Sequence, residues 1–355
     1  MNKKDILYIV EDIKSAQFRY RVYNMMQLFN GDKKWNVEYI TIDQYADGKE
    51  MIEAANLIVI ERQTAKNGDI LKIIKEAHRR KKKILFDLDD LIFDYRDLLL
   101  LMGATNSKNL LYWLSYFWGI RRIAKRVDGF LCTNEFLAKK IGRSFDRPAK
   151  VIPNSLNKEQ VNYSKKCLDG KKTSSKDFII GYFSGSPTHA KDFRMIEPEL
   201  IGFLNKYKDS KLRVVGYMDF SNQMKKMIDS KKVETIDSVN YLELQKQISE
   251  VSVNIAPLVI NDFTNCKSEL KYFEAAIVET VTIASPNYSF SRAIADGKNG
   301  FLAKEGEWME KLEYLHNSKK DSLRIAKNAR RETLKKYYGE SIYRVAKEAY
   351  EFFAG

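Results

Sequence analysis

The chain has 355 residues, of which 44% are hydrophobic and 30% charged, and its formal net charge at pH 7 is +14. This composition is typical of a globular protein and excludes an intrinsically disordered one, and the length predicts two domains. The positive charge predicts anionic partners, which are nucleotides, phosphorylated ligands or an anionic membrane surface. No nucleic-acid-binding motif accompanies the charge, so nucleic acid is not an expected partner.

Apolar runs and cysteines point to a cytoplasmic protein. No apolar run reaches the roughly 20 residues that a membrane-spanning helix needs. The cysteines and histidines are scattered along the chain: Cys132, Cys167, Cys266, His78, His189 and His316. We therefore expect no disulfide framework and no metal site, and a reducing compartment.

Short apolar strands alternate with helices in the first half. Strands are predicted at residues 6–10, 37–42, 57–61, 83–87, 130–133 and 149–153. A helix is predicted at 69–81, because its apolar residues recur at helical spacing. This alternation predicts a parallel sheet that helices cover on both faces.

The second half repeats the pattern after a polar, lysine-rich stretch at residues 156–177, which reads as a linker. Strands are predicted at 178–183, 212–217, 233–236, 253–257 and 281–285. We expect a first domain at 1–157 and a second at 158–336. The last helix, within 337–355, has no strand of its own to cover, so we expect it to pack back on the first domain.

The segment at residues 108–126 is aromatic, apolar and basic at once. One interpretation is a core helix with a basic end. The other is an interfacial helix, with aromatic residues near lipid headgroups and basic residues facing anionic lipid. The residues concerned are Trp113, Trp118, Arg121, Arg122, Lys125 and Arg126.

The stretch NCKSELKYFE, residues 265–274, carries two lysines and a carboxylate at helical spacing. If the helix begins near Lys267, then Lys267 and Lys271 share one face, because residues four apart are neighbours. Two adjacent cations at a helix N-terminus favour an anion such as a diphosphate, and Glu274 is placed to accept hydrogen bonds from ribose hydroxyls. The pattern indicates a nucleotide site. The alternative is a solvated amphipathic helix.

Four stretches of the chain resemble one enzyme family. They are VIPNS (151–155), GYFSGSPTHAKDF (181–193), KSELKYFEAAIVETVTIASPNYSFSRAIADGKNGFLA (267–303) and DLDDLIFD (87–94). The third is similar to the donor-binding run of the family 4 retaining glycosyltransferases, and the fourth to a segment of members that build bacterial surface polysaccharides. The resemblance implies an α/β protein of the GT-B fold, with two Rossmann-like parallel-sheet domains that face each other across a cleft. The first domain is expected to bind the acceptor and the second the nucleotide sugar.

The resemblance also assigns candidate donor residues. Glu274 matches the family glutamate that binds ribose, and Lys191 matches a lysine that grips the diphosphate. The chain departs from the family at Cys266, where another glutamate is usual, and in the loop where serine replaces an arginine; Glu269 or Asn265 is a candidate to replace the glutamate. The expected donor and diphosphate site is Ser184, Gly185, Ser186, Lys191, Lys267, Lys271 and Glu274.

Further candidates lie at strand ends, where α/β folds bind ligands. The expected catalytic residues are Asp87, Asp89, His189 and Lys191, and the expected acceptor-binding residues are Arg19 and Arg21. Asp87, Asp89 and Asp90 also resemble an acidic magnesium pocket, and Asp90 alone a helix cap. The arginines are alternatively a solvated helix start. The GT-B enzymes that the chain resembles need no bound metal, so we expect none.

The function expected from these features is glycosyl transfer. A cytoplasmic enzyme, peripheral at the inner face of the cell membrane, would move a hexose from a nucleotide-diphosphate sugar to a lipid-linked glycan or cell-surface polymer, with retention. The missing glutamate and arginine favour an alternative, a non-catalytic subunit that binds glycan or a partner glycosyltransferase. A sugar-nucleotide epimerase is a third hypothesis, but it needs an acid–base pair that the sequence does not show.

Overall fold

The computed structural model describes residues 4–46, 48–65, 68–105, 107–170, 177–185 and 190–354. It contains two parallel sheets flanked by helices, as the alternating pattern predicted. The strands are β1 (Lys4–Val10), β2 (Trp35–Thr41), β3 (Leu57–Glu61), β4 (Lys83–Leu88), β5 (Gly129–Cys132), β6 (Ala149–Val151), β7 (Phe178–Ser184), β8 (Ser210–Gly216), β9 (Val233–Ile236), β10 (Val253–Ala256), β11 (Val281–Ala284) and β12 (Phe301–Leu302).

Helices cover both faces of the sheets. They are α1 (Ala16–Phe18), α2 (Asn24–Phe29), α3 (Lys49–Ala54), α4 (Asp69–Arg79), α5 (Leu98–Ala104), α6 (Leu110–Ala124), α7 (Glu135–Phe145), α8 (Lys158–Asp169), α9 (Ala190–Lys206), α10 (Asn222–Asp229), α11 (Tyr241–Ser249), α12 (Asp262–Asn265), α13 (Leu270–Ala276), α14 (Tyr288–Ala293), α15 (Trp308–Asn317), α16 (Lys319–Tyr337) and α17 (Glu340–Ala354). A π-helical turn, Arg19–Tyr23, joins α1 to α2. No helix in these described ranges is long and apolar enough to cross a membrane.

The first sheet has the strand order β2-β1-β3-β4-β5-β6. Its strands are apolar on both faces: along β1, Tyr8 packs into one core and its neighbours Leu7 and Ile9 into the core on the opposite face. This double burial explains why the strands are continuous apolar runs instead of alternating ones. The chain leaves β1 toward β2 and returns to β3 on the other side, so the order reverses at β1 and β3.

The second sheet has the order β12-β11-β10-β7-β8-β9. Here the order reverses between β7 and β10, which pair in parallel. Ligands of doubly wound sheets bind beyond the carboxyl ends of the strands at such reversals. For this sheet that place is the loop after Ser184, where β7 ends.

The predicted linker at 156–177 was wrong in part, because it contains helix α8. Asn157 and Gln160 form a capping box at its start. Val161 and Cys167 are buried on one side of α8 and join a core with residues of the second sheet. The polar, lysine-rich composition concealed this short amphipathic stripe.

The last helix, α17, packs on the first sheet. The hydroxyls of Tyr8 and Tyr350 form a buried hydrogen bond of 2.8 Å. The ring of Phe353 lies over Gly129, where an added Cβ would come within 2.2 Å of it. The chain thus passes between the sheets twice, and the two crossings are joined by a hydrogen bond from Leu156 N to Tyr337 O, 2.9 Å.

Candidate functional site

A cleft of about 770 Å³ separates the two sheets. Loops at the carboxyl ends of strands from both sheets line it: Ser15 and Asp89 follow β1 and β4, and Ser184 and Ser238 lie at the ends of β7 and β9. Gly216, at the end of β8, also lines it and has φ +93°, and a Cβ there would collide with the Ser184 carbonyl oxygen. The sequence therefore needs glycine at 216 to let these two strand ends approach.

Helix α13 brings the key charged residues into the cleft. Lys271 and Glu274 lie on α13, whereas Lys267 lies in the turn before it, and all three line the cleft. The condition that the helix begins near Lys267 is not met, because α12 ends at Asn265 and α13 begins only at Leu270. The two lysines nonetheless face the same space.

Lys271 carries a buried ammonium group. Its Nζ is inaccessible and makes no hydrogen bond to the residues that the structure describes. It lies 4.7 Å from the centre of the Tyr182 ring. Burial lowers the pKa of Lys271 to about 8, although Asp192 and Glu274 favour the charged form. An anion in the cleft would supply the missing partner.

Glu274 is held by the opposite half of the molecule. The Tyr20 hydroxyl donates a hydrogen bond to Glu274 Oε1, and Arg19 Nη2 lies 3.7 Å from the same oxygen. Burial raises the pKa of Glu274, while Arg19, Tyr20 and Lys271 act in the opposite direction. The π-helical turn carries both partners, and such turns occur often at functional sites.

Arg19 is held between two aromatic rings. Its guanidinium lies 4.5 Å from the centre of the Tyr20 ring and 4.4 Å from that of Tyr241. Its Nε has no hydrogen-bond partner among the described residues. The cleft therefore contains two incompletely satisfied cations, Arg19 and Lys271, on either side of a carboxylate. This arrangement suits a ligand with negative charge and hydroxyl groups.

Solved structures of several enzymes resemble this architecture along its length. HepE of Anabaena in complex with UDP has 12% sequence identity and a TM-score of 0.66, and the match covers 99% of this chain and 100% of that one. Sucrose-phosphate synthase of Thermosynechococcus elongatus has 13% identity and a TM-score of 0.67, over 99% of each chain. A glycosyltransferase of Rickettsia africae has 13% identity and a TM-score of 0.66, also over 99% of each chain.

The chain has the GT-B fold. The fold predicted from the sequence motifs is thus confirmed. At such low identity the likeness establishes the fold alone. No protein-family model matches the chain, and no curated protein matches it by sequence.

Arg21 and Asp87 do not face the GT-B cleft. Arg21 Nε donates to both carboxylate oxygens of Asp87, at 3.0 and 3.1 Å, and both side chains are buried. Arg21 Nη1 also donates to the carbonyl of Ile152, at 2.5 Å. The pair ties the π-helical turn to β4 and to the end of β6. Its position suits a structural role instead of the acceptor-binding and catalytic roles predicted for these residues.

Asp89 and Asp90 lie at the cleft but are already paired with cations. Arg62 Nη1 lies 3.0 Å from an oxygen of each, and Lys267 Nζ lies 3.5 Å from Asp90. Burial raises the pKa of Asp90, but Lys267 and Arg62 outweigh it and the pKa falls. No group of three potential metal ligands occurs among the described residues. The arrangement suits an ion-pair network across the cleft better than the magnesium alternative.

The predicted loop after β7 is placed only in part. Ser184 and Gly185 line the cleft. Lys191 is exposed on the first turn of α9 and lines a smaller hollow of about 90 Å³ beside the cleft, together with Lys267. Ser186 and His189 lie outside the described residues.

Cys266 is wholly buried and packs with the core of the first sheet. Two residues were candidates to replace the family glutamate expected there. Glu269 accepts a hydrogen bond from Tyr337, 2.6 Å, and Asn265 Oδ1 accepts one from the Tyr288 amide, 2.9 Å. Both are thus engaged in structural contacts, and neither is among the side chains that line the cleft.

The sequence did not identify three residues of the site. Tyr20 and Tyr241 line the cleft, and Arg62 belongs to the ion-pair network with Asp89 and Asp90. A usable signal existed, because each follows the carboxyl end of a strand: β1, β9 and β3 respectively. What the sequence could not show is that Tyr20 meets Glu274, 254 residues away.

Proposed function

We propose that the protein is a glycosyltransferase that moves a hexose from a nucleotide-diphosphate sugar to a lipid-linked glycan or cell-surface polymer, with retention at the anomeric carbon. One observation carries the proposal: Lys267, Lys271 and Glu274 converge in the cleft of a GT-B fold, beside the end of β7. HepE, which has the same fold, was solved with UDP.

The donor's diphosphate would lie against Lys271 and Lys267. Lys271 lacks a hydrogen-bond partner among the described residues and is buried, so an anionic oxygen beside it gains a charge-assisted hydrogen bond without competition from water. As the sugar leaves, negative charge grows on the diphosphate. Fixed cations in a dry cleft stabilise that charge. Removing one such donor typically raises the activation barrier by about 3 kcal/mol.

The ribose would bind at Glu274, which accepts hydrogen bonds and cannot donate any when ionised. The nucleotide's hydroxyls would then take the place that the Tyr20 hydroxyl holds in the unliganded protein. The acceptor would approach from the first sheet, past Asp89 and Lys14, which line the opposite wall. No metal enters this proposal, because the lysines supply the positive charge.

The reaction is tested with purified protein, a panel of nucleotide sugars and a lipid-linked oligosaccharide fraction as acceptor. We expect one donor to release nucleoside diphosphate only when acceptor is present, together with a product heavier by one hexose. Lys271→Ala and Glu274→Ala should lower the rate by about 100-fold. The controls Lys304→Ala and Glu305→Ala, which are exposed and distant from the cleft lining, should not. Equal rates in all four variants would refute the assignment.

A second candidate is a non-catalytic subunit of the same fold that partners a glycosyltransferase or binds glycan. The burial of Cys266, where the resembling family has a glutamate at the donor sugar, favours it. This candidate predicts nucleotide or glycan binding without sugar transfer for any donor and acceptor. Nucleoside diphosphate release that depends on both would exclude it, and hexose in the product separates transfer from epimerisation.

A further inference from the structure

One surface of the first sheet's helices is apolar and exposed. Fifteen large apolar side chains are exposed among the described residues, and eight of them lie between residues 95 and 118: Tyr95, Leu99, Leu100, Leu110, Leu111, Tyr112, Leu114 and Trp118. Leu99 is 76% exposed and Leu111 is 79% exposed. We call these eight residues the apolar face. Clustered exposure of this kind marks a surface that binds something.

Five of the eight residues of the apolar face lie on α6, which is firmly anchored. Phe117, Ile120 and Ile123 of α6 are wholly buried in the core of the first sheet. Leu111 and Trp118, two turns apart, lie on the outer side of the same helix. The exposure therefore does not arise from a loosely packed helix, and the inner side of α6 matches the core-helix interpretation of segment 108–126.

The charged residues of α5, of α6 and of the segment that joins them are all basic. Residues 98–127 contain no Asp or Glu, although the whole chain has 47. The Arg122 guanidinium lies 4.4 Å from the centre of the Trp118 ring, and Lys108, Lys125 and Arg126 are exposed. Aromatic and leucine side chains bordered by cations match the interface of an anionic bilayer.

The apolar face reaches the edge of the cleft. Leu99 and Leu100 form one wall of the hollow of about 90 Å³, and Lys191 and Lys267 form another. Lys267 also lines the cleft. A surface in contact with the apolar face would therefore lie beside the cationic border of the candidate active site.

We propose that the apolar face docks on an anionic lipid bilayer and brings the edge of the cleft to the membrane surface. The inference rests on the proposed function, in which the acceptor is carried on a lipid. A second copy of the chain fits less well, because a two-fold contact between apolar faces would bring two basic rims together without any acidic partner.

Co-sedimentation with vesicles tests the docking. Vesicles of phosphatidylcholine with 30% phosphatidylglycerol as a probe should bind the protein, and vesicles of phosphatidylcholine alone should bind it at least tenfold less, as expected for several lysines and arginines near the surface. The double variant Leu111→Ser/Trp118→Ser should lose binding to both. Arg122→Glu/Lys125→Glu should lose at least tenfold on the anionic vesicles only.

Matched controls lie on the second domain. Leu323→Ser replaces a leucine that is 52% exposed on α16, and Lys319→Glu/Lys320→Glu reverses two exposed charges. Both should bind vesicles like the wild type. All variants should bind nucleoside diphosphate normally, so a failure of docking is distinct from a failure of the donor site.

Three results would overturn the docking proposal. The first is wild-type protein that stays in the supernatant with anionic vesicles, and the second is binding that the α6 variants leave unchanged. The third is a dimer in sedimentation velocity that Leu111→Ser/Trp118→Ser dissociates, which would assign the face to a second copy. A blue shift of tryptophan fluorescence on vesicle addition that Trp118→Phe reduces would support it, since Trp35 and Trp308 are buried and Trp113 is partly buried against the core of the first sheet.

Discussion

The hydroxyl of Tyr20 in the first half of the chain donates a hydrogen bond to Glu274 in the second half, across the cleft. Arg19 adds a charge 3.7 Å from the same carboxylate. The residue expected to bind the nucleotide's ribose is thus already satisfied by the protein itself. A donor bound there as proposed would exchange these contacts for others, so the contact between the halves and the occupancy of the donor site would be coupled.

Removing the Tyr20 hydroxyl should strengthen nucleotide binding. Tyr20→Phe leaves Glu274 without its hydroxyl donor, and since a hydrogen bond to a charged group contributes about 1.5–3 kcal/mol, affinity for the nucleoside diphosphate should rise about tenfold or more. The melting temperature of the unliganded protein should fall. Calorimetric titration measures the affinity. Tyr343→Phe, which removes a hydroxyl bonded to Asp32 at 2.5 Å, is the control and should leave affinity unchanged. A weaker affinity in Tyr20→Phe would mean that Tyr20 holds the nucleotide.

Lys271 should lower the stability of the unliganded protein. Burial lowers its pKa to about 8, so at pH 7 the fold carries a buried charge without a hydrogen-bond partner in the described chain. Lys271→Met keeps an unbranched side chain of nearly the same length and removes the charge. It should raise the free energy of unfolding by about 1–3 kcal/mol while weakening diphosphate binding. Urea denaturation with and without ligand measures both. Lower stability in Lys271→Met would contradict this account.

Diphosphate binding should weaken as the pH rises through about 8. Below that pH Lys271 is charged in the free protein, and above it the lysine is neutral and must take up a proton to pair with the phosphate. Titrations at pH 9 in buffers of different ionisation enthalpy should show uptake of up to about one proton, absent in Lys271→Met. The free energy of unfolding should change in the opposite direction. Between about pH 8 and 10 the unfolded chain binds more protons at Lys271 than the folded chain does, so the contribution of Lys271 to the free energy of unfolding rises with pH. Affinity that is flat from pH 7 to 9 would refute the assignment.

The Arg21–Asp87 pair should be structural. Asp87 is 1% and Arg21 3% exposed, so Arg21→Met leaves a buried carboxylate uncompensated and should cost about 3–5 kcal/mol of stability. The exposed pair of Arg194 and Asp219 provides the control, since Arg194→Met should cost less than about 1 kcal/mol. Chemical denaturation measures both. A stable Arg21→Met protein with impaired transfer would instead restore the predicted acceptor role.

Most of the fold could be predicted because buried parallel strands are continuous apolar runs. β3 and β9 have the bounds that the sequence predicted, and the other predicted strands differ at their ends by a few residues. β12 was missed since two residues carry no periodicity. α8 was missed because its only buried apolar residues are Val161 and Cys167, within a charged segment.

The residue types of the candidate site could be predicted from the sequence, but which side chains face the cleft could be predicted less well. Lys271 and Glu274 share a helix turn, so their common placement in the cleft follows from spacing. Arg19 and Arg21 lie two residues apart, and one reaches the cleft while the other is buried against Asp87. Both arginines lie in the π-helical turn, and residues two apart in a helix point in different directions. Tertiary packing decides which of the two faces the cleft.

Titration of the wild-type protein, Lys271→Ala and Glu274→Ala with UDP, GDP, ADP and CDP tests the central claim most directly. We predict that the wild type binds one of them at a single site, and that each variant weakens that binding by at least tenfold while Lys304→Ala and Glu305→Ala do not. Binding that survives both cleft substitutions unchanged, or no binding of any nucleoside diphosphate, would contradict a donor site built on α13.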